Sequence, residues 1–287
     1  MPFSATDAAA VQRLIYGALP QRLLSRLGGL AAGLRGGILT TAFIRWFIRR
    51  YGVRLDEAEE SSPSGYPSFQ AFFTRTLRPG ARTWPADPAF IASPVDGVVS
   101  AAGPIAGGTL IQAKGITYSL ERLLDSDPAV YEGGRFATLY LRPHDYHRIH
   151  LPLDGRLTAI RHCPGRLWPV RPWAVDSVPG LFAANERAAL DFQGDAGPFA
   201  LVMVGAMMVG GLETVVTGRI ARGRYAPDCW NLETAPRPFT RGEEIGRFNF
   251  GSTVILLLGR GSGELDREAL VPGREVRLGE AIGRIRR

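Results

Sequence analysis

Cysteine, lysine and histidine are scarce in this chain of 287 residues. The two cysteines, Cys163 and Cys229, exclude a disulfide framework and lack the spacing of a zinc site, so we expect isolated thiols. Lys114 is the only lysine, and arginine therefore carries almost all of the basic charge behind the net charge of +7. A basic chain favours an anionic partner, either nucleic acid or an anionic lipid surface, and composition alone leaves both open.

The chain also lacks a hydrophobic run that would cross a bilayer, which takes about 20 apolar residues. Residues 38–48 are apolar and aromatic, but Arg45 interrupts them. Arg13 and Pro20 interrupt the first apolar stretch, so we expect no secretory signal. With 45% hydrophobic and 21% charged residues, the chain has the composition of a folded globular protein.

Acidic residues are almost missing from the first fifty positions, where Asp7 is the only one. The basic residues there are Arg13, Arg22, Arg26, Arg35, Arg45, Arg49 and Arg50. Apolar residues recur at helical spacing on both sides of Pro20, which predicts amphipathic helices. Such helices lie in a membrane interface, pack on a core or form a transit peptide, and the shortage of acids favours the interface. We therefore predict that residues 1–65 form a basic helical segment for membrane association.

Beyond a polar link at 57–65, the pattern changes to short β-rich runs between glycine and proline turns. The predicted strands are 98–101, 109–112, 136–141, 200–204, 214–220 and 253–258, after a short helix at 68–78. The fold class predicted is α+β, in which residues 66–287 form a β-rich, sandwich-like or barrel-like catalytic body behind the N-terminal helices.

Three of the four histidines, His144, His147 and His150, lie in the run LRPHDYHRIHLP. His144 and His147 would share a face of a helix but point to opposite sides of a strand. No nearby cysteine or glutamate completes a metal shell, so we predict no metal site. Imidazole moves protons near neutral pH, which makes these residues candidates for acid–base catalysis.

Two short segments supply the other candidate groups. Asp96, in SPVDGVVS, lies in an Asp-Gly pair that is typical of a turn. The alternative interpretation is that its carboxylate orients a catalytic histidine. Ser252, in RFNFGSTVILLLG, precedes five apolar residues that predict a strand buried on both faces. Gly251 tolerates strained backbone angles and leaves its carbonyl uncrowded, as an attack by the Ser252 hydroxyl would require.

Together these segments resemble the pyruvoyl-dependent phosphatidylserine decarboxylase family. The resemblance rests on SPVDG, HDYHRIH and FGST, and also on QAKGITYSL, VPGLFAANER, VGAMMVG and RGEEIGRF. The segments occur in the family's order and cover residues 67–283, which is most of the chain. Each is weak alone, but jointly they are highly specific.

The resemblance implies a proenzyme that cleaves itself between Gly251 and Ser252. His147, oriented by Asp96, would take the proton of Ser252, whose attack and later elimination leave a pyruvoyl group at residue 252. That group would form a Schiff base with the amine of phosphatidylserine and accept electrons on loss of carbon dioxide, giving phosphatidylethanolamine. His144 is expected to return a proton to the product.

The resemblance also implies particular partners and a location. The chains 1–251 and 252–287 should stay associated without a covalent link, and a homodimer is expected. We expect peripheral binding to anionic phospholipid on the cytoplasmic side of the cell membrane, and no binding to nucleic acid.

Three alternatives remain open at this point. A related pyruvoyl enzyme could act on another serine lipid, such as archaetidylserine. Ser252, His147 and Asp96 could form the triad of a hydrolase, although the chain has no GxSxG elbow and a buried strand follows the serine. A non-enzymatic binder of membranes or nucleic acid would explain the charge but leave the three segments unexplained.

Overall fold

A computed structural model describes residues 5–207, 211–220, 227–249 and 252–286, so Gly251 of the predicted cleavage site lies outside the described residues. The chain begins with three helices, α1 (Ala5–Ala18), α2 (Gln21–Gly33) and α3 (Ile38–Tyr51). This confirms the helices predicted on both sides of Pro20. Gly52, with φ of +70°, ends α3 in the left-handed conformation that glycine adopts without strain.

Short helices and many strands make up the rest of the described chain. The helices are α4 (Phe69–Phe73), α5 (Leu120–Leu124), α6 (Pro172–Val175) and α7 (Leu181–Ala184), with a 3₁₀ turn at Ala129–Tyr131. The strands are β1 (Phe90–Ala92), β2 (Gly97–Pro104), β3 (Thr109–Ala113), β4 (Ile116–Ser119), β5 (Arg135–Tyr140), β6 (Arg148–His150), β7 (Gly155–Cys163), β8 (Arg187–Gly194), β9 (Gly197–Val204), β10 (Leu212–Thr214), β11 (Gly218–Arg219), β12 (Asp228–Asn231), β13 (Arg237–Phe239), β14 (Glu244–Phe248), β15 (Thr253–Leu258), β16 (Gly263–Leu265), β17 (Glu275–Val276) and β18 (Ala281–Ile285).

The strands form antiparallel sheets. The largest has the order β12-β7-β8-β9-β15-β5-β2-β17, with β13 also paired to β7. Smaller sheets have the orders β11-β10-β14-β6, β1-β18-β16 and β3-β4. The α+β class predicted from the sequence is therefore confirmed, while the sandwich-like or barrel-like arrangement stays a prediction.

Strand β15 lies inside the largest sheet, paired with β9 on one side and β5 on the other. Val254 and Leu256 belong to a hydrophobic cluster shared with β14 and β18, on one face of the sheet. Ile255 and Leu257 belong to a second cluster, shared with α5 and α7, on the other face. The apolar run therefore forms the strand buried on both faces that its sequence predicts.

Two of the predicted elements have the wrong extent. Residues 214–220 do not form one strand, because Thr214 ends β10 and its hydroxyl accepts hydrogen bonds from the Val216 and Thr217 amides, which turn the chain back into β11. The helix predicted at 68–78 ends at Phe73. There the Thr74 hydroxyl donates to the Gln70 carbonyl, and the following residues leave the helical path.

A third hydrophobic cluster connects the N-terminal helices to the rest of the chain. Ile44 and Phe47 of α3 pack against Phe69, Phe72 and Phe73 of α4. Phe47 alone lies within 6.3 Å, centroid to centroid, of all three of those α4 rings. The cluster thus contains residues from both sides of the predicted boundary at residue 65, which itself stays a prediction.

Candidate active site

Ser252 stands at the entrance to β15, where the chain enters the core. Its side chain is fully buried, and its Oγ has no hydrogen-bond partner among the described residues. Its carbonyl accepts a hydrogen bond of 2.9 Å from the Leu141 amide, just beyond the end of β5. A buried hydroxyl without a partner costs about 1–3 kcal/mol, and a catalytic role is one of the explanations for such a group.

His147 lies in the loop that follows β5, and it too is fully buried. Its ring stacks on Phe73 of α4 with a centroid distance of 4.0 Å, and neither ring nitrogen has a hydrogen-bond partner of good geometry in the described chain. Burial, and then the positive charge of Arg75, lower the pKa of His147 to about 3. The imidazole is therefore neutral at physiological pH, which is the form that accepts a proton.

Backbone hydrogen bonds connect the loop of His147 to the segment that contains Ser252. The Phe248 amide donates to the His147 carbonyl at 3.0 Å, at the end of β14. Four residues later, the Ser252 carbonyl accepts from Leu141. The segment 248–252 is thus attached at both ends to the loop 141–147, so the fold brings His147 and Ser252 into one neighbourhood.

Asp96 lies immediately before β2, and in the structure it does not make the contact with His147 that the family resemblance implies. Its carboxylate accepts from Arg82 Nε at 3.2 Å, from Arg82 Nη2 and from the Leu278 amide at 2.7 Å. The next residue, Gly97, approaches the Tyr140 carbonyl so closely that a Cβ would come within 2.6 Å of its oxygen. Glycine at this position therefore allows β2 to pair with β5 beside the carboxylate.

Arg82 was not identified from the sequence. Its side chain is 8% exposed, and it joins Asp96 to Glu57, whose Oε2 lies 2.8 Å from Arg82 Nη1. No motif around Arg82 distinguishes it from the many other arginines of the chain. Its two carboxylate partners, Asp96 and Glu57, lie 14 and 25 residues away in the sequence. Only the tertiary structure shows that Arg82 fixes Asp96.

Arg75 is a second functional candidate that sequence reasoning missed. It is 6% exposed, and its Nη2 donates to the carbonyls of His144 at 2.9 Å and Asp145 at 3.3 Å. Its Nε and Nη1 have no partner among the described residues. Burial lowers the pKa of Arg75. Arg75 therefore holds the loop of the candidate histidines and contributes to the low pKa of His147.

His144 and Asp96 line a common cavity of about 280 Å³, here called the polar cavity. The His144 side chain is 32% exposed, with Nε2 at 3.6 Å from Asp145 Oδ1. The other described residues around the polar cavity are Gly52, Arg54, Glu57, Arg75, Leu77, Arg82, Arg142, Asp145, Tyr146, Glu275, Val276 and Arg277. The His144 imidazole is therefore accessible to water from the polar cavity.

His150 separates from the other two histidines of the run, because it lies in β6. Its Nδ1 is 2.7 Å from the Gly242 carbonyl and its Nε2 is 3.0 Å from the Tyr146 hydroxyl. Burial lowers the pKa of His150. With both ring nitrogens in hydrogen bonds to neighbouring elements, His150 serves to connect β6 to its surroundings.

No group of three or more histidine, cysteine, aspartate or glutamate side chains in the described parts of the chain is arranged to hold a metal ion. Both cysteines are free, with Cys163 buried and Cys229 exposed.

A second cavity, of about 270 Å³, lies at the end of β5, the strand that pairs with β15; it is called the apolar cavity here. Its described lining is Tyr16, Phe47, Tyr51, Phe73, Tyr140, Leu141, Pro143, Pro169, Val170, Arg171, Ala206 and Met207. Leu141 donates to Ser252, and Tyr140 is the β-partner of Thr253, so this cavity adjoins residue 252. A larger cavity of about 380 Å³ between β2 and the 265–272 segment contains none of the candidate residues.

The helices beside the apolar cavity expose much apolar surface, here called the apolar helix face. It consists of Val11, Leu14, Ile15, Leu23, Leu27, Leu30, Leu34, Ile38, Leu39, Phe43 and Trp46. Leu14 is 74% exposed and Ile38 is 87% exposed, so this surface is not covered by the rest of the described chain. Exposed apolar surface is typical of sites that bind a membrane or another molecule.

Among the described helices none is by itself both long and apolar enough to span a bilayer. The helices α2 and α3 meet that criterion only when taken together, and they are bent by 113° where they join.

Comparisons with known proteins agree with the geometry. A family model described as phosphatidylserine decarboxylase matches residues 69–284, and a second one, described as PSD, matches residues 13–52. The phosphatidylserine decarboxylase proenzyme of Halorhodospira halophila is 47% identical over 288 residues, covering 99% of this chain and 97% of that protein. The proenzymes of Shewanella frigidimarina and Shewanella loihica are 42% and 43% identical over 275 residues, covering 93% of this chain and 96% of each protein.

Proposed function

This chain belongs to the phosphatidylserine decarboxylase family, and we propose that it is a self-cleaving carboxy-lyase that converts phosphatidylserine to phosphatidylethanolamine. Cleavage occurs between Gly251 and Ser252 and leaves a pyruvoyl group on residue 252. The observation that carries the proposal is the Ser252 hydroxyl, which is fully buried and unpartnered in the described chain. It stands at the entrance to β15 and is connected through the backbone to the loop of His147.

The neutral ring of His147 is the base for self-cleavage in this proposal. It takes the proton of Ser252 Oγ, and the oxygen attacks the carbonyl carbon of Gly251. The bond from that carbon to the nitrogen of residue 252 then breaks, the nitrogen takes up the proton from His147, and the amide becomes an ester with a free amine. Removal of the α-proton of residue 252 then breaks the ester and frees the carboxylate of Gly251. The dehydroalanine left at residue 252 takes up water and loses ammonia, which gives the keto group.

The surroundings of residue 252 fit a pyruvoyl group. The position is buried, uncharged and beside the apolar cavity, so a keto group there is protected from bulk water. A pyruvoyl group supplies an electron sink for the electron pair that remains when carbon dioxide leaves. His144, in the neighbouring polar cavity, is positioned by the hydrogen bond from Arg75 to its carbonyl, and in this proposal it returns a proton to the product.

The proposed role of Asp96 is to orient His147 and stabilise its protonated form. Both oxygens of Asp96 accept hydrogen bonds from Arg82 in the structure, so an Asp96–His147 contact requires a rearrangement of the Arg82 side chain. Leu278, in the part of the chain that follows the cleavage site, also donates to Asp96. The position of this carboxylate thus depends on both products of cleavage.

The proposed substrate site is the apolar cavity, and the proposed membrane-binding surface is the apolar helix face above it. Arg26 and Arg45 are exposed on α2 and α3, Arg35 is exposed in the link between them, and all three suit an anionic leaflet. Residues 1–65 then act as the membrane-association segment, and binding is peripheral, on the cytoplasmic side. The chains 1–251 and 252–287 stay associated after cleavage, and the enzyme is a homodimer that binds no nucleic acid.

Intact-mass spectrometry of the wild type beside Ser252→Ala tests the cleavage. We expect two chains in the wild type, the shorter one with a pyruvoyl mass at residue 252, and one uncut chain in the variant. The same samples are then given phosphatidylserine, and the release of carbon dioxide is measured. A wild type that releases carbon dioxide while remaining uncut would refute the pyruvoyl mechanism.

The same assay separates the competing activities. A hydrolase with Ser252 as nucleophile would release fatty acid or head group from an uncut chain. An ether lipid with a serine head group, supplied in place of phosphatidylserine, tests the archaetidylserine alternative. A higher turnover of the ether lipid than of phosphatidylserine would identify that lipid as the substrate class.

Flotation with lipid vesicles tests the membrane surface. The double variant Ile38→Gln with Leu39→Gln removes two side chains that are 87% and 79% exposed, so the fold should be unaffected. Burying each in lipid contributes about 1.5–3 kcal/mol, so we expect vesicle binding to fall by at least about tenfold. Val130→Gln is the control, since Val130 is 54% exposed but lies outside the N-terminal helices α1 to α3. Equal binding by all three proteins would exclude the apolar helix face as the membrane surface.

A further inference from the structure

Arg171 is the one charged residue in the described lining of the apolar cavity. All the other described lining residues are apolar or aromatic, and none is acidic. The Arg171 side chain makes no hydrogen bond or ion pair with any residue that the structure describes. A guanidinium at the edge of an apolar cavity, with no acidic residue in the described lining, is available to bind an anionic group of a ligand in that cavity.

The backbone of Arg171 is held firmly, although its side chain is exposed. Arg171 stands between Pro169 and Pro172, and its carbonyl accepts from the amides of Ala174 at 2.9 Å and Val175 at 3.1 Å. The positive charge of Arg171 also acts on Tyr140, the last residue of β5. Burial raises the pKa of Tyr140, and the charge of Arg171 partly offsets that rise. Arg171 and Tyr140 line the same cavity, and Tyr140 is the β-partner of Thr253, the residue that follows Ser252.

Phosphatidylserine carries two anionic groups, and they differ in what a cation would do to the reaction. The carboxylate is lost as carbon dioxide, so a cation bound to it would stabilise the ground state more than the transition state and slow the reaction. The phosphodiester keeps its charge throughout, so a cation there contributes binding without opposing the chemistry. Guanidinium also matches the geometry of phosphate oxygens.

We propose that Arg171 binds the phosphodiester of the lipid substrate in the apolar cavity and thereby directs the serine amine toward residue 252. The inference rests on the proposed function and adds a specificity-determining residue to it. Tyr16 of α1 and Phe47 of α3 line the cavity, and in this proposal the glycerol and acyl parts of the lipid extend toward the apolar helix face of those helices.

The test uses cleaved, detergent-solubilised enzyme and two short-chain lipids. Dihexanoyl phosphatidylserine is the substrate. Dihexanoyl phosphatidylglycerol, which has the phosphodiester but neither amine nor carboxylate, is the competitive inhibitor. For Arg171→Gln we expect the KM and the inhibition constant each to rise about tenfold, as the loss of one charge-assisted contact implies, with a smaller change in kcat.

Two further variants complete the design. Arg171→Lys keeps the charge but loses the fork of donors, and it should fall between the wild type and Arg171→Gln. Arg166→Gln is the matched control, because Arg166 is exposed in the same loop, lies over the Trp168 ring and does not line the cavity. Its KM and inhibition constant should equal those of the wild type. Intact mass establishes that every variant has cleaved itself.

The possible results separate this inference from the proposed function. If phosphatidylglycerol does not inhibit the wild type, or inhibits Arg171→Gln equally well, the phosphodiester contact is refuted while the decarboxylase stands. If KM rises for Arg166→Gln as much as for Arg171→Gln, the effect is one of general surface charge, and the inference is refuted as well. A wild type that does not decarboxylate phosphatidylserine would refute the proposed function and the inference together.

Discussion

The short chain 252–287 should stay bound to the chain 1–251 after cleavage, and the free energy that holds the two chains together follows from the burial of β15. The side chains of Val254, Ile255, Leu256, Leu257 and Leu258 are all fully buried. At about 1.5–3 kcal/mol each, their burial contributes roughly 7–15 kcal/mol before the cost of ordering the chain. The short chain also contributes β18, which pairs with β1 of the long chain. We therefore expect no dissociation in the absence of denaturant.

Leu256→Ala is the perturbation that measures this interaction. Truncation of the Leu256 side chain, which packs in the cluster shared with β14 and β18, should weaken the association of the two chains by about 2–5 kcal/mol. This is only part of the free energy contributed by the burial of β15. The two chains should still elute together in buffer but separate at a urea concentration lower by about 1 M, given a slope of about 3 kcal/mol per molar urea. Val271→Ala is the control in the same short chain, because Val271 is 51% exposed and should change the free energy by less than about 0.5 kcal/mol.

Size-exclusion chromatography in increasing urea, with both chains followed by mass, gives the midpoints. A short chain that elutes alone from wild-type protein in buffer would refute the reasoning, since the burial would then fail to hold it. Equal midpoints for Leu256→Ala and Val271→Ala would refute it too.

Two further predictions concern the charges around the candidate site. Arg82→Gln leaves Asp96 without its main partner and should reduce the free energy of unfolding, measured by urea titration, by about 3 kcal/mol. The control is Arg284→Gln, which breaks an ion pair between side chains that are 58% and 38% exposed and should reduce the free energy of unfolding by less than about 1 kcal/mol. Similar reductions in the two variants would contradict the role of Arg82. In the unfolded chain His147 becomes protonated below about pH 6.5, whereas in the folded chain it becomes protonated only near pH 3. Between these two pH values the free energy of unfolding should therefore fall by about 1.4 kcal/mol for each unit by which the pH is lowered. His147→Gln should lose that part of the slope, and an unchanged slope would contradict the low pKa.

The strand β15 could be predicted from sequence because its signal is local. Five consecutive apolar residues after Gly-Ser require burial on both faces, and the structure confirms this. The run 214–220 is also rich in β-branched residues, but the Thr214 hydroxyl accepts hydrogen bonds from two amides and the chain turns there, a side-chain effect that composition does not show. The candidate residues Asp96, His147 and Ser252 were likewise identified from short motifs.

The parts of the site that could not be predicted depend on contacts between distant residues. Arg75 meets the His144 carbonyl across 69 positions, and nothing in its neighbourhood distinguishes it from other arginines. The pairing of Asp96 with Arg82 instead of His147 is also a tertiary outcome, since a fork of donors competes well for a carboxylate. The roles of Asp96, His144, His147 and Ser252 stay predictions for the experiments above.

Because residue 252 is buried, its surroundings restrict which chemical group can stand at the N-terminus of the short chain. Simple hydrolysis after Gly251 would leave an α-ammonium at residue 252, where the side chain is fully buried and the carbonyl is already bonded to Leu141. Removing such an ion from water costs several kcal/mol, and it would tend to pull the strand out of the sheet. A keto end is neutral and carries no such penalty. Burial of residue 252 thus favours a product without charge, and it lets the cleaved strand keep the place that it had before cleavage.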